Sequence, residues 1–119
     1  MLLTGKVKVV QYEEEDGKSP FKSWFDSLDH IAGLKVQGAI FKMQKGNFSN
    51  AKFLGGGVGE YKVNFGPGYR IYFGRDGERL IILLGGGTKK RQTRDVKVAK
   101  ELWKEYKAGK GKEVKTQWH

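Results

Sequence analysis

The sequence predicts an α+β fold: an N-terminal strand and a helical hairpin packed on an antiparallel β-sheet of three to four strands, with a C-terminal helix. Three observations predict it. Apolar residues recur at helical spacing from Phe21 to Met43, alternate with polar ones from Val58 to Arg75, and return to helical spacing from Val96 to Tyr106 after the unbroken apolar run Leu80 to Leu84. At 119 residues the chain is long enough for one domain. That domain is expected over residues 1–108. The segment 109–119, where lysines and glycines occur without an apolar period, is expected to be a mobile tail.

The elements follow in chain order. Val7, Val9 and Val10 form a β-like run between Lys6 and Tyr12, closed by the solvated acidic cluster Glu13 to Asp16 and by Gly17. Ser19 caps a first helix and Pro20, with its fixed φ, suits the first helical position. Phe21, Trp24, Phe25 and Leu28 are its core stripe. Asp29 caps a second helix with Ala32, Val36, Ala39, Ile40 and Met43 on one face, and Gly46 supplies the left-handed stop. Residues 47–57 read as a glycine-rich connection.

From Val58 to Phe65 the pattern implies a strand with Tyr61, Val63 and Phe65 buried and Glu60, Lys62 and Asn64 wet. Gly66, Pro67 and Gly68 turn the chain into Tyr69 to Arg75. A three-residue loop there pairs Lys62 with Tyr72 and Asn64 with Arg70, which keeps the faces unmixed. Asp76-Gly77 signals a two-residue hairpin into Leu80 to Leu84, expected at the sheet centre and covered on both faces. Gly85 to Gly87 read as a strand-to-helix turn. The last helix puts Val96, Ala99, Trp103 and Tyr106 toward the core, with Thr93 and Asp95 in its first turn.

Lysine and arginine number 23 against 13 acidic residues, a formal charge of +10, which attracts polyanions such as nucleic acid. The absence of cysteine excludes disulfides, thiolate nucleophiles and cysteine-based zinc sites. The two histidines, His30 and His119, lie far apart in the chain and give little support to histidine catalysis or a metal site. Neither cofactor nor metal is expected. Residues 1–10 lack a signal-like apolar stretch and Leu80 to Leu84 is too short to span a bilayer, so a cytoplasmic protein without membrane contact is expected. Gly85 to Lys90 departs from the phosphate-binding loop pattern, because its lysine follows threonine at the wrong distance from an earlier glycine.

The remaining constellation is the polar strand face Lys62, Asn64, Arg70 and Tyr72, continued by the basic stretch Lys89, Lys90, Arg91, Gln92, Thr93 and Arg94. Converging cations position a phosphodiester and stabilise the extra charge of its transition state. An ordinary wet face of an antiparallel sheet explains the same pattern without chemistry.

Three stretches carry a resemblance: Gly55 to Val63, the run Phe65-Gly66-Pro67-Gly68-Tyr69-Arg70-Ile71-Tyr72-Phe73, and Leu83 to Lys89. Together with Gly46-Asn47-Phe48 and the helix through Trp103 and Tyr106, they closely resemble the RelE/ParE superfamily of addiction-module killer proteins. The resemblance implies a helical hairpin on an antiparallel sheet and a two-gene type II toxin–antitoxin operon. The implied partner is a cognate antitoxin, an acidic helix-turn-helix protein from the adjacent gene. In the ribosome-dependent members the toxin is an mRNA interferase, a metal-independent endoribonuclease that inhibits translation by cutting messenger RNA on the ribosome. By position, Lys62 resembles a lysine that assists the attacking 2′-oxygen and Arg70 an arginine that stabilises the transition-state phosphate. Lys89, Lys90 or Arg91 falls near an arginine that assists the leaving group. Asn64, Tyr72, Lys90 and Arg94 are expected to contact RNA. Asn64 replaces a basic residue of the best-understood relatives and the last helix lacks an early tyrosine. Both departures favour the alternatives: a ParE-like gyrase inhibitor that cuts nothing, or an inactive toxin-like binding protein.

Overall fold

A computed structural model describes residues 6–109. Strand β1 (Lys8–Gln11) is followed by helices α1 (Pro20–Asp26) and α2 (His30–Gln44). Strands β2 (Ala51–Gly55), β3 (Val58–Val63), β4 (Tyr69–Asp76) and β5 (Leu80–Thr88) come next, then a 3-10 turn (Lys89–Arg91) and helix α3 (Gln92–Lys107). The fold is α+β, with one five-stranded sheet ordered β1-β5-β4-β3-β2. The sheet is mixed, since β1 runs parallel to β5 while the other pairs are antiparallel. Alternation along a strand reports which face a residue takes and carries no information about strand direction, so this pairing was not legible.

Local signals set both hairpin helices. Ser19 accepts a hydrogen bond from the Lys22 amide, and Asp29 accepts one from that of Ala32, each relieving a free donor of the first turn. Gly46 ends α2 with φ 82, a left-handed conformation that costs glycine little. The hairpin lays Phe21, Ala32, Val36, Ile40 and Met43 on Tyr61, Ile71, Phe73, Ile81 and Leu83. On the opposite face, Ala99, Leu102 and Trp103 of α3 cover Val58, Tyr72, Ile82 and Leu84. The sheet is therefore enclosed between two helical layers.

That enclosure corrects the expectation of a wet face on β3 and β4. Glu60 and Arg70 are each 5% exposed and Tyr72 is 1% exposed, because α3 lies over them. Register is also corrected. Lys62 pairs with Arg70 and Val63 with Tyr69, two residues away from the expected alignment, so the loop runs from Asn64 to Gly68. Backbone bonds from Phe65 N–H to the Val63 carbonyl and from Gly68 N–H to the Phe65 carbonyl curl this segment early and take Asn64 out of the ladder. A shift of two preserves side-chain parity, so Lys62 and Arg70 still share a face.

Four further differences have local causes. β2 lies where only a connection was expected; it is a short edge strand, largely exposed, with a register irregularity between Phe53 and Gly55, and such a strand has little apolar pattern. Asp76 pairs with Leu80, which makes the hairpin loop Gly77 to Arg79 instead of two residues. β4 holds the sheet centre, and β5 lies between it and β1 with both faces covered. Gly85 to Gly87 continue β5 instead of turning, because side chains of both helical layers need the room: a Cβ on Gly86 would strike Trp24 and one on Gly87 would strike Asp95. Of the expected tail over 109–119, only Gly109 falls within the described residues. Among these residues no helix is long and apolar enough to cross a membrane.

Candidate nucleic-acid interface

Cross-strand register places Lys62 of β3, Arg70 of β4 and Gly87 of β5 in one row on the α3 side, with Glu60, Tyr72 and Gly85 in the next. Strands in a sheet lie about 4.8 Å apart, so the Lys62 and Gly87 backbones are separated by about 10 Å. Past Thr88 the chain leaves the sheet through the 3-10 turn, whose Lys89 N–H donates to the Gly68 carbonyl at 3.0 Å. The β3–β4 loop and the basic stretch are thereby joined at one end of the sheet.

Arg70 makes that joint rigid. Its Nε donates to Glu60 Oε1 at 2.8 Å and its Nη1 to the Gly68 carbonyl at 2.9 Å. Gln92 Nε2, from the first turn of α3, donates to the two Glu60 oxygens at 2.7 and 2.9 Å. One buried carboxylate thus binds β3 to β4 and to the start of α3. Desolvating such a pair is costly, and these additional hydrogen bonds help to offset that cost. Arg70 shares the expected face, but its charge is matched by Glu60 and its fork is engaged within the protein, which corrects the expectation of a free phosphate-binding arginine.

Tyr72 is corrected too. Its ring is buried under α3 and cannot serve as a stacking platform, and its hydroxyl has no partner among the described residues. Burial, followed by the negative charges of Glu60 and Asp95, drives its phenol far above the ordinary value, with Arg70 opposing. Asp95 itself lies against Gly87 with Oδ2 buried and unpartnered. Burial raises its carboxyl above the usual range, while Arg91 and Arg94 pull it down.

The other expected residues are exposed: Lys62, Asn64, Lys89, Lys90, Arg91 and Arg94. Lys62 sits in the row beside Arg70, and the other four cations follow from the adjoining 3-10 turn into the first turn of α3. They form a cationic rim around the buried Glu60–Arg70–Gln92 network. Sequence reasoning missed Glu60 and Gln92 as site residues. Their available signals were a carboxylate on the same strand face as Lys62 and an uncharged amide inside a basic run.

Three buried phenols give this fold an alkaline limit. Tyr12 donates to Glu105 Oε1 at 3.3 Å, and its phenol is pushed up to about 12 by burial and then by Glu105. Burial also raises Tyr61, as it does Tyr72. Below pH 10 these groups are protonated in both folded and unfolded chains and contribute no pH dependence. Above it the unfolded chain releases protons that the folded one retains, so stability falls as pH rises. The expected slope is at most about 1.4 kcal/mol per pH unit for each phenol. Urea midpoints that hold to about pH 10 and then decline, with the phenolate absorbance of Tyr12, Tyr61 and Tyr72 withheld until the chain unfolds, are the expected result; ionisation of these three in the folded protein with the ordinary phenol midpoint near pH 10 contradicts it.

No protein-family model matches the chain. It is similar to a Haemophilus influenzae protein named only as an uncharacterized protein, at 38% identity over 86 residues, spanning 71% of this chain and 87% of the relative. At that identity and coverage, the chain belongs to the family of this Haemophilus influenzae protein.

Proposed function

We propose that the chain is the toxin of a type II toxin–antitoxin pair, acting in the cytoplasm as a ribosome-dependent messenger RNA endoribonuclease that inhibits translation. The supporting observation is the exposed rim of Lys62, Lys89, Lys90, Arg91 and Arg94 at one end of the sheet, with Glu60 turned inward. The rim positions phosphates by charge. In the cleavage step the ribose 2′-hydroxyl gives up its proton as its oxygen bonds to the adjacent phosphorus, the bond from phosphorus to the 5′-oxygen breaks, and that oxygen takes up a proton as it leaves, giving a 2′,3′-cyclic phosphate and a 5′-hydroxyl. Lys62 serves the attacking oxygen, and one of Lys89, Lys90 or Arg91 serves the leaving one. Arg70 is a positioning residue that holds the Gly68 loop and Glu60, the carboxylate that in turn accepts from Gln92. With modest acid–base power in the rim itself, the ribosome must supply much of the alignment.

Inducing the chain and mapping RNA 5′ ends tests this reading. New ends within translated messages, lost in Lys62→Ala, are expected; intact message in arrested cells refutes it. Binding to single-stranded RNA is expected to weaken with salt, and each lost rim contact, as in Lys89→Ala or Lys90→Ala, should reduce the log–log slope by about 0.7. Anisotropy titrations over a salt series measure it, and an unchanged slope in both variants removes the rim from the interface.

The Arg70–Glu60 pair and the buried Tyr72 favour a second reading, because both side chains are withdrawn from a phosphodiester. In it the chain is a ParE-like inhibitor of DNA gyrase or an inactive toxin-like binding protein. Arrest with a DNA-damage response and continued translation marks the first of these, and harmless expression marks the second. The partner in each case is a cognate antitoxin with an acidic segment whose charge complements the rim.

A further inference from the structure

Helix α3 sorts its charges. Of its acidic residues, Asp95 turns toward Gly87 of β5, and Glu105 accepts from the Tyr12 hydroxyl at 3.3 Å. Its lysines stay outside. Lys97, Lys100, Lys104 and Lys107 are exposed, and their spacing sets them in one row along the helix, on the side away from Ala99 and Leu102. The row is about 15 Å long, at about 1.5 Å per residue. None of the four forms an ion pair among the described residues, and of the α3 acids Glu101 alone stands near them. Like charges at this spacing repel one another and weaken a helix. The helix dipole accounts for Lys104 and Lys107 in the last turn, but Lys97 and Lys100 lie too far from that end to gain from it. One turn earlier the exposed Thr93 continues the line toward the basic 3-10 turn of Lys89–Arg91.

We propose that this lysine row is a docking surface for the phosphate backbone of duplex RNA, adjoining the rim and distinct from it. A packed helix holds the four side chains along a fixed straight line, and a duplex holds its phosphates at fixed intervals, so little backbone must be ordered on either side. The row contains no arginine, asparagine or glutamine to read base edges, which suits recognition by backbone and shape, the manner in which duplex RNA is bound. A protein is the poorer occupant, because protein interfaces centre on apolar and aromatic residues and the row has none. A membrane surface is poorer too, since the apolar face of α3 already covers Val58, Tyr72, Ile82 and Leu84. The choice of RNA over DNA rests on the proposed function, through the continuity of row and rim; the backbone contact does not.

The probe is a fluorescein-labelled RNA duplex of about 16 base pairs, titrated with the full chain and followed by anisotropy over a salt series. Lys97→Gln/Lys100→Gln/Lys104→Gln/Lys107→Gln is expected to weaken binding more than about tenfold and to lower the log–log salt slope by about 3.6, at about 0.9 for each of the four contacts. A control lacking four exposed lysines elsewhere, Lys8→Gln/Lys18→Gln/Lys45→Gln/Lys52→Gln, should bind nearly as the parent does, with circular dichroism confirming the fold of both variants. Equal losses in the two variants assign binding to overall charge and overturn the proposal, as does an unchanged slope in the row variant. Tighter binding to the DNA duplex of the same sequence overturns the choice of RNA. Row-dependent binding to phosphatidylserine vesicles or polyglutamate, without binding to the duplex, overturns it as well and assigns the surface to a membrane or an acidic protein. If the parent binds no single-stranded RNA while the row still governs the duplex, the rim reading fails and the docking surface stands.

Discussion

Glu60→Ala is expected to lower the unfolding free energy by about 3–5 kcal/mol, the typical cost of removing one partner of a buried ion pair. The substitution leaves the Arg70 guanidinium at 5% exposure without its counter-charge and deprives Gln92 of its acceptor. β3, β4 and the first turn of α3 lose their common anchor together. Removing both charges with similarly shaped apolar residues, as in Glu60→Leu/Arg70→Met, should recover most of the loss, because the penalty comes from the stranded charge. Urea unfolding of the two variants measures the difference. A Glu60→Ala protein within about 1 kcal/mol of the parent would mean that Arg70 finds water or another partner, contrary to its burial. Lost activity in Arg70→Ala is therefore a poor sign of catalysis, whereas Lys62 is exposed and its loss should leave stability nearly unchanged.

Gly74→Ala is the second large effect expected. Gly74 lies in the central strand β4 and faces α3, where a Cβ would overlap the Trp103 ring. The indole has little freedom to yield. Tyr106 stacks on it at a 5.0 Å centroid distance and a 13° interplanar angle, and its Nε1 lies 2.8 Å from where a Gly57 Cβ would stand. Overpacking of this kind costs about 1–3 kcal/mol and more when the neighbours cannot move. Gly86→Ala also overlaps a tryptophan, but Trp24 is only half-buried on the short helix α1, so the cost should be smaller. Combining Gly74→Ala with Trp103→Leu should be markedly less harmful than the sum of the two, which a double-mutant cycle in urea reads directly. Simple additivity would show that the two sites do not share the space.

These two effects concern features that the sequence conveyed unequally. Caps and stops were legible because Ser19, Asp29 and Gly46 act within a few residues of themselves. Face assignment survived a wrong register for a related reason: a displacement of two leaves every side chain on its own side. Gly74 and Gly86 convey nothing locally, since the rings that require them come from α3 and α1. The candidate site was half legible. The exposed cations stand in a basic run, but the withdrawal of Arg70 and Tyr72 depends on α3 folding back over β4, and no short-range pattern encodes where a terminal helix lands.

The parallel pairing of Lys8 with Leu80 has a consequence for the order of assembly. A ribosome releases β1 early, yet its partner emerges only after both hairpin helices and three further strands have been made. Until β5 arrives, Val9 and Val10, which point to opposite helical layers, have no sheet to join. Closing so long a loop is slow, and an unpaired apolar segment in the meantime invites aggregation. The nascent chain depends on its C-terminal half to shelter its beginning, so β1 should be the last strand added to the sheet and among the first exposed when translation stalls.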